Sequence, residues 1–446
     1  RESNSTTFVH ADSAHNQLIM ATYRRIEETL MGRANKIYRQ QPAGTNAALS
    51  LYRNESFKLG ARYESLKKVK FIDSIMLRTP MILHPKSNKR EWAFQQVYEN
   101  PLDTFNGNSD EFFCFPAKVG DLTVFIYFHR DFMSNGVSLA NLFELASKKE
   151  ATKKPDCVLI FGNDDGKNAC TFYHDEEEDI WVGSVTYNEK ISYFGYMKKT
   201  VLTLHNVAMM QKGWLPIHGA FVNITLKNGK SKGICLMRDS GAGKSETIEA
   251  LKSLGDEKIK NIEIVFDDMG TFHVEDGIVY AKGTEIGAFV RLDDLDPGTP
   301  YRDMNRSIFF NPDLSNARVI TPAAPYSVVT DNHRVDLFAY ANNYDEDLGL
   351  HEFENLDDAK TVFVEGKRMA KGTTQEVGLS TTYFANPFGP MQQQEICDPI
   401  IDKVYECLKD NGVFIGEVYT HLGRDPEDRE SIKKGAEELL RFIEEN

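Results

Sequence analysis

The chain reads as an α/β protein of two lobes. Three observations predict this. Short apolar runs of strand length alternate with stretches of helical spacing. A fresh block of such elements begins near residue 195. Within that block a strand, a glycine-rich turn, a helix, a second strand and a carboxylate pair follow one another. The expected division is a first lobe of residues 1–190 and a second of residues 191–446.

The elements are expected in this order. Residues 1–70 carry helix-like spacing at Leu18, Met20, Ile26, Leu30 and Met31. Lys58 to Arg90 is basic and mixed. Leu122–Phe128, Cys157–Phe161 and Ile180–Val185 are apolar runs that predict strands, with a helix over 137–147. Residues 196–210 are helical in pattern, and Leu215–Ile224 and Gly233–Met237 read as strands. Glu246 to Leu254 has helix composition and stops at Gly255. Asn261 to Phe266 is another apolar strand and ends in Asp267-Asp268. The last helix is expected to start at an Asp425 N-cap with Pro426 at its first position. Its apolar stripe is Ile432, Ala436, Leu439, Leu440 and Ile443.

Bulk composition bounds the function. The 446 residues are 41% hydrophobic and 26% charged, enough to build real cores. A net charge of −14 argues against a nucleic-acid partner, whose phosphates need a basic surface. Six scattered cysteines form no C-x-x-C pair, against zinc spacing and against a disulfide scaffold. No run approaches ~20 apolar residues, so no membrane span is expected. The polar start of the chain, to His15, does not read as a signal peptide, and the expected setting is cytoplasmic.

The residues that carry chemistry cluster in the second block. In Asp239-Ser240-Gly241-Ala242-Gly243-Lys244-Ser245, the two glycines let the backbone aim several N–H groups at one point. The helix that follows adds its positive end. Lys244 can reach the outer phosphates of a nucleotide, and the Ser245 hydroxyl can hold Mg²⁺. The strict pattern G-x-x-x-x-G-K-[ST] fails at one place, because Arg238 stands where its first glycine belongs. Asp267 and Asp268 end a buried strand, where a divalent cation on phosphate oxygens would offset their charge. Upstream lie Tyr193-Phe194-Gly195-Tyr196-Met197-Lys198-Lys199 and Pro216-Ile217-His218-Gly219.

Taken in order, Y-x-G-x-M-K-K-T, L-P-I-H-G, S-G-A-G-K-S and F-D-D-M-G-T-F-H-V-E-D-G-I-V-Y-A-K resemble motifs of the ATP-dependent phosphoenolpyruvate carboxykinases. Asn316-Ala317-Arg318-Val319, Gly372-Thr373-Thr374-Gln375-Glu376 and Phe388-Gly389 are similar to further pieces of that family. The resemblance covers roughly residues 190–390. It implies a bilobed carboxykinase-like fold whose C-terminal lobe is of P-loop type and binds ATP, Mg²⁺ and Mn²⁺. It also implies a small carboxylate substrate, with oxaloacetate and ATP giving phosphoenolpyruvate, CO₂ and ADP.

By the same resemblance Lys199, His218 and Asp268 are Mn²⁺ ligands, with Asp267 beside them. A lysine ligand must be neutral, and desolvation beside cations favours that form. Ser240, Gly241, Ala242, Gly243, Lys244 and Ser245 hold phosphates and Mg²⁺. Lys198, Lys199, Lys244 and Arg318 are the expected catalytic set, with Lys198 and Arg318 neutralising the transferred phosphoryl. Tyr193 lines the carboxylate pocket, and Arg78 of Arg78-Thr79-Pro80 is the candidate substrate clamp. The departures are specific. Arg238-Asp239 replaces Gly-Leu before the loop serine, Met269 replaces a glutamate, and the arginine expected near Gln375 is missing. The loop, with Glu246 after it, also resembles that of HPr kinase/phosphorylases, which phosphorylate a serine. A kinase on the same core, and a nucleotide-binding regulator without activity, therefore stay open as alternatives.

Overall fold

The structure is a computed structural model. It describes residues 14, 17–18, 21–22, 24–26, 28–30, 37–39, 47–77, 81–83, 85, 87, 89–105, 107–238, 244–291, 308–310, 317–370, 378–423, 425 and 427–446. The chain is α/β and forms two compact units. One comprises Arg1–Val201 and Ile286–Pro322, the other Leu202–Glu285 and Ala323–Asn446. A single division after residue 190 does not anticipate the excursion Ile286–Pro322, which returns to the first unit.

The first unit is built on a mixed sheet, ten-stranded among the described residues. At its centre Leu122–His129, Cys157–Asn163 and Ile180–Thr186 run parallel. Cys157–Asn163 and Ile180–Thr186 are buried along their whole length, so they read as unbroken apolar runs rather than alternating ones. Phe71, Phe125, Tyr127, Val158, Ile160 and Val182 form the core on one face. A second sheet joins Gly287–Arg291, Arg318–Pro322, Ile308–Phe310 and Met81–Leu83 in that order.

The second unit has a sheet that is nine-stranded among the described residues, centred on the long strand Leu215–Leu226. Ser231–Met237 lies antiparallel on one side of it. On the other side the strand changes partner: its start pairs with Met269–Glu275 and its remainder with Ile259–Phe266. Leu337–Asn342 then runs parallel to Ser231–Met237, and Phe414–Tyr419 parallel to Leu337–Asn342. The helix Lys244–Leu254 is pinned to this sheet by Ile248 and Leu251. The C-terminal helix Arg429–Glu445 buries Ala436, Leu439, Leu440 and Ile443 in the same core, and Ile432 is buried as well. No helix among the described residues is long and apolar enough to cross a membrane.

Three local expectations are corrected. The helix expected at 137–147 spans Met133–Leu142, because Phe143 turns to extended backbone and Glu144–Leu145 joins the sheet. The C-terminal helix is capped by Asp428, whose carboxylate accepts the Ser431 N–H at 3.0 Å. Asp425 instead accepts from Glu427 N, and Pro426 lies outside the described residues. Of the helical reading of residues 1–70, the described residues show α-helix only up to residue 30 and a short 3-10 helix at Ala61–Leu66, while Ala47–Arg53 and Lys70–Leu77 are strands. Leu18, Ile26 and Leu30 are 66%, 50% and 78% exposed, while Met20 and Met31 lie outside the described residues.

Candidate functional site

In the second unit three of the singled-out motifs meet at one level of the sheet. His218 is where the long strand changes partner, and Asp267-Asp268 is the bend between the two partner strands. The Gly219 N–H donates to the Asp268 carbonyl at 3.0 Å. On the other edge the Arg238 N–H donates to the His218 carbonyl at 3.0 Å. The residue that opens the phosphate-loop candidate, the histidine and the aspartate pair are thus hydrogen-bonded neighbours. Gly219 permits this approach: a Cβ there would sit 2.3 Å from the Leu236 carbonyl oxygen.

His218 is buried, and its ring is held at both nitrogens. Nδ1 lies 3.2 Å from the Ala385 carbonyl and Nε2 lies 3.1 Å from Asp268 Oδ1. Phe384 and Ala385 both take positive φ, at 49° and 47°, in the turn that presents that carbonyl. A neutral imidazole has one N–H and two acceptors face it here. If Nδ1 donates to Ala385, the Nε2 lone pair and the carboxylate face each other, which suits two ligands of one cation. A separation of 3.1 Å is that of adjacent donors at roughly 2.1 Å from a metal. A doubly protonated ring would make the same contact a simple ion pair. Histidine and carboxylate oxygen are both donors that Mn²⁺ accepts. Among the described residues no cluster of three His, Cys, Asp or Glu has metal-holding geometry.

Arg238 accounts for the missing glycine. Its φ is +151°, a backbone conformation open to glycine and rare for other residues. Its buried guanidinium donates from Nη1 to the Tyr340 hydroxyl at 3.0 Å and to the Gly366 carbonyl at 2.9 Å. The side chain anchors the turn that the backbone strains to make. Lys244 and Ser245 are the first residues of the helix Lys244–Leu254, as a phosphate-binding helix start requires. Their side chains, and Ser240, Gly241, Ala242 and Gly243, lie outside the described residues. Met269 stands directly opposite His218 in the antiparallel strand pair, and its sulfur accepts from Asn206 Nδ2 at 3.4 Å.

The first unit brings together the other cationic residues. Lys198 is 3% exposed on the helix Phe194–Gln211. Its Nζ and the Arg318 guanidinium carbon each lie 5.6 Å from the centre of the Phe289 ring. The Tyr193 ring is 6.2 Å from the same ring. Lys199 is half-buried. Sequence reasoning missed Phe289 and also Arg291. Arg291 stands directly opposite Arg318 in the strand pair, and two residues from Phe289 it shares that ring's face. Facing like charges destabilise a strand pair unless an anion accompanies them. Nothing in the local sequence marks Arg291, since only the strand register pairs it with Arg318. Arg78 lies outside the described residues. Compared with protein-family models and with curated proteins, the chain matches none.

Proposed function

We propose that the chain is an ATP-dependent, divalent-metal-assisted phosphotransferase of the phosphoenolpyruvate carboxykinase type. The observation that carries this reading is the convergence of Arg238, His218 and Asp268 on three adjacent strands. A generic glycine-rich turn has no need of a histidine and a carboxylate hydrogen-bonded at its root. Lys244 and Ser245 at the helix start would hold nucleotide phosphates. His218 and Asp268 would hold Mn²⁺. When bound, the cations would supply charge neutralisation at the phosphate oxygens. Lys198 and Arg318, gathered on Phe289, would do the same for the transferred group. The resemblance supplies oxaloacetate as the substrate, and the scattered cysteines suit a reducing, cytosolic setting.

The second reading, a kinase on the same core, is favoured by the loop Asp239–Glu246, which resembles that of HPr kinase/phosphorylases. A coupled assay with oxaloacetate, ATP, Mg²⁺ and Mn²⁺ separates the two. Phosphoenolpyruvate formation supports the carboxykinase reaction. ADP formation with a hydroxyl acceptor and not with oxaloacetate supports the kinase. ATP bound without turnover by any acceptor would leave the regulator.

A further inference from the structure

Arg238 reaches the His218–Asp268 pair by two routes, both inside the second unit. The first is its backbone. The Arg238 N–H donates to the His218 carbonyl at 3.0 Å and so fixes the strand that carries the histidine. The second is its side chain, which leaves the sheet for the end of the helix Leu356–Glu365.

Gly366 closes that helix in the left-handed conformation, at φ +57°. Its carbonyl accepts twice, from Arg238 Nη1 at 2.9 Å and from the Thr382 N–H at 3.3 Å. The Tyr340 hydroxyl, which also accepts from Nη1, donates to the next carbonyl, that of Lys367, at 2.7 Å. The segment at Thr382 packs directly on Gly366. A Cβ there would lie 2.0 Å from the Thr382 carbonyl oxygen and 2.6 Å from the Ala385 nitrogen.

Thr382 opens the turn that presents Ala385, and the Ala385 N–H returns to the Thr382 carbonyl at 2.8 Å. Phe384 and Ala385 both hold positive φ in it, a conformation that persists where the surroundings enforce it. The bonds of Arg238 and Thr382 to Gly366 supply that enforcement. The turn delivers the Ala385 carbonyl to 3.2 Å from His218 Nδ1. A closed circuit results, from the His218 strand through Arg238, Gly366 and the turn back to the His218 ring.

A carbonyl only accepts, so it is satisfied when Nδ1 carries the proton. In a neutral ring the Nε2 lone pair then faces Asp268 Oδ1 at 3.1 Å, the tautomer that a metal ion uses. Without an acceptor at Nδ1 the proton is better placed on Nε2, where it is donated to Asp268 and the ring is no longer a ligand.

We infer that Arg238 is a positioning residue for this histidine: its guanidinium holds the turn whose Ala385 carbonyl keeps the His218 proton on Nδ1 and leaves Nε2 to a cation. The inference rests on the reading of His218 and Asp268 as a Mn²⁺ pair and adds the residue that prepares it. It also gives the arginine a task that a glycine in its place has no side chain to perform.

The test uses the full chain, metal-free and labelled with ¹⁵N at histidine, at about pH 8, where an ordinary imidazole is neutral. Long-range ¹H–¹⁵N spectra report the tautomer, and the His218 signals are those missing from His218→Gln. Wild type should carry the proton on Nδ1. Arg238→Gly keeps the backbone N–H and relieves the φ of +151°, and it should move the proton toward Nε2. Its Mn²⁺ affinity, with the free ion followed by electron paramagnetic resonance, should fall about 10–100-fold. A merely structural arginine would lower stability and leave the tautomer of the folded variant unchanged. If Arg238→Gly does not fold, the wild-type tautomer and Arg238→Lys decide, and the lysine, lacking the planar fork, should weaken Mn²⁺ binding by a smaller factor. A wild-type ring protonated on Nε2 overturns the inference, and so does a variant with wild-type tautomer and Mn²⁺ affinity; both leave the phosphotransferase reading standing. A wild-type chain that sequesters no Mn²⁺ overturns the metal pair and this inference with it.

Discussion

Replacing Arg238 by glycine and, separately, by alanine isolates the strain at the root of the phosphate loop. Both variants lose the guanidinium bonds to Tyr340 and Gly366, at 3.0 and 2.9 Å. That loss is common to both and costs about 1.5–3 kcal/mol per charged hydrogen bond. What differs is the backbone at φ +151°. Alanine keeps the strain, worth about 1–3 kcal/mol, and glycine relieves it. Glycine gives back about 0.4–1 kcal/mol through its freer unfolded chain. The glycine variant should therefore be more stable than the alanine variant by about 1–2 kcal/mol, the reverse of the usual order. Urea unfolding should be followed at Trp214, with Trp92 and Trp181 changed to Phe so that the signal reports the second unit. An alanine variant as stable as the glycine variant, or more so, would refute the strain and the account of the missing glycine.

Other perturbations read other parts. Gly219→Ala puts a Cβ 2.3 Å from a backbone oxygen that cannot yield, and should cost about 3 kcal/mol at the Trp214 probe. Asp428→Ala should cost about 1 kcal/mol at neutral pH, and Asp425→Ala less, because only Asp428 caps the last helix. The Asp428 carboxyl is held below its ordinary 3.8, chiefly by the Ser431 N–H and also by His421. Its folded value is depressed, so its contribution is complete above 3.8 and disappears as pH falls through the lowered value. The stability difference between wild type and Asp428→Ala should shrink over that acid range in urea titrations. Lys244→Ala should weaken ATP binding roughly tenfold or more by calorimetry, with unchanged unfolding. Equal affinity would exclude Lys244 as a phosphate ligand.

Much of the second unit was legible because its signals are local. The apolar runs at 215–224, 233–237 and 261–266 all fall inside observed strands. Four residues of the last helix's stripe, Ala436, Leu439, Leu440 and Ile443, pack into the core. The N-cap was misread because Asp425-Pro426 has the composition of a helix start, whereas Asp428 reaches the Ser431 N–H. Long-range pairing was less visible. His218 and Asp268 lie fifty positions apart, and only the change of strand partner makes them neighbours. Arg238 hid a glycine-like backbone behind a charged side chain, so pattern matching on residue type rejected it. The return of Ile286–Pro322 to the first unit has no compositional mark, and with it the pairing of Arg291 with Arg318 was out of reach.

On the proposed function, His218 and Asp268 hold a divalent cation at the root of a nucleotide loop. Titration of Mn²⁺ into the protein, with the free ion followed by electron paramagnetic resonance, tests it most directly. The wild-type chain should sequester Mn²⁺, and His218→Ala and Asp268→Ala should each lose it while still binding ATP. Mn²⁺ binding equal in wild type and both variants would contradict it.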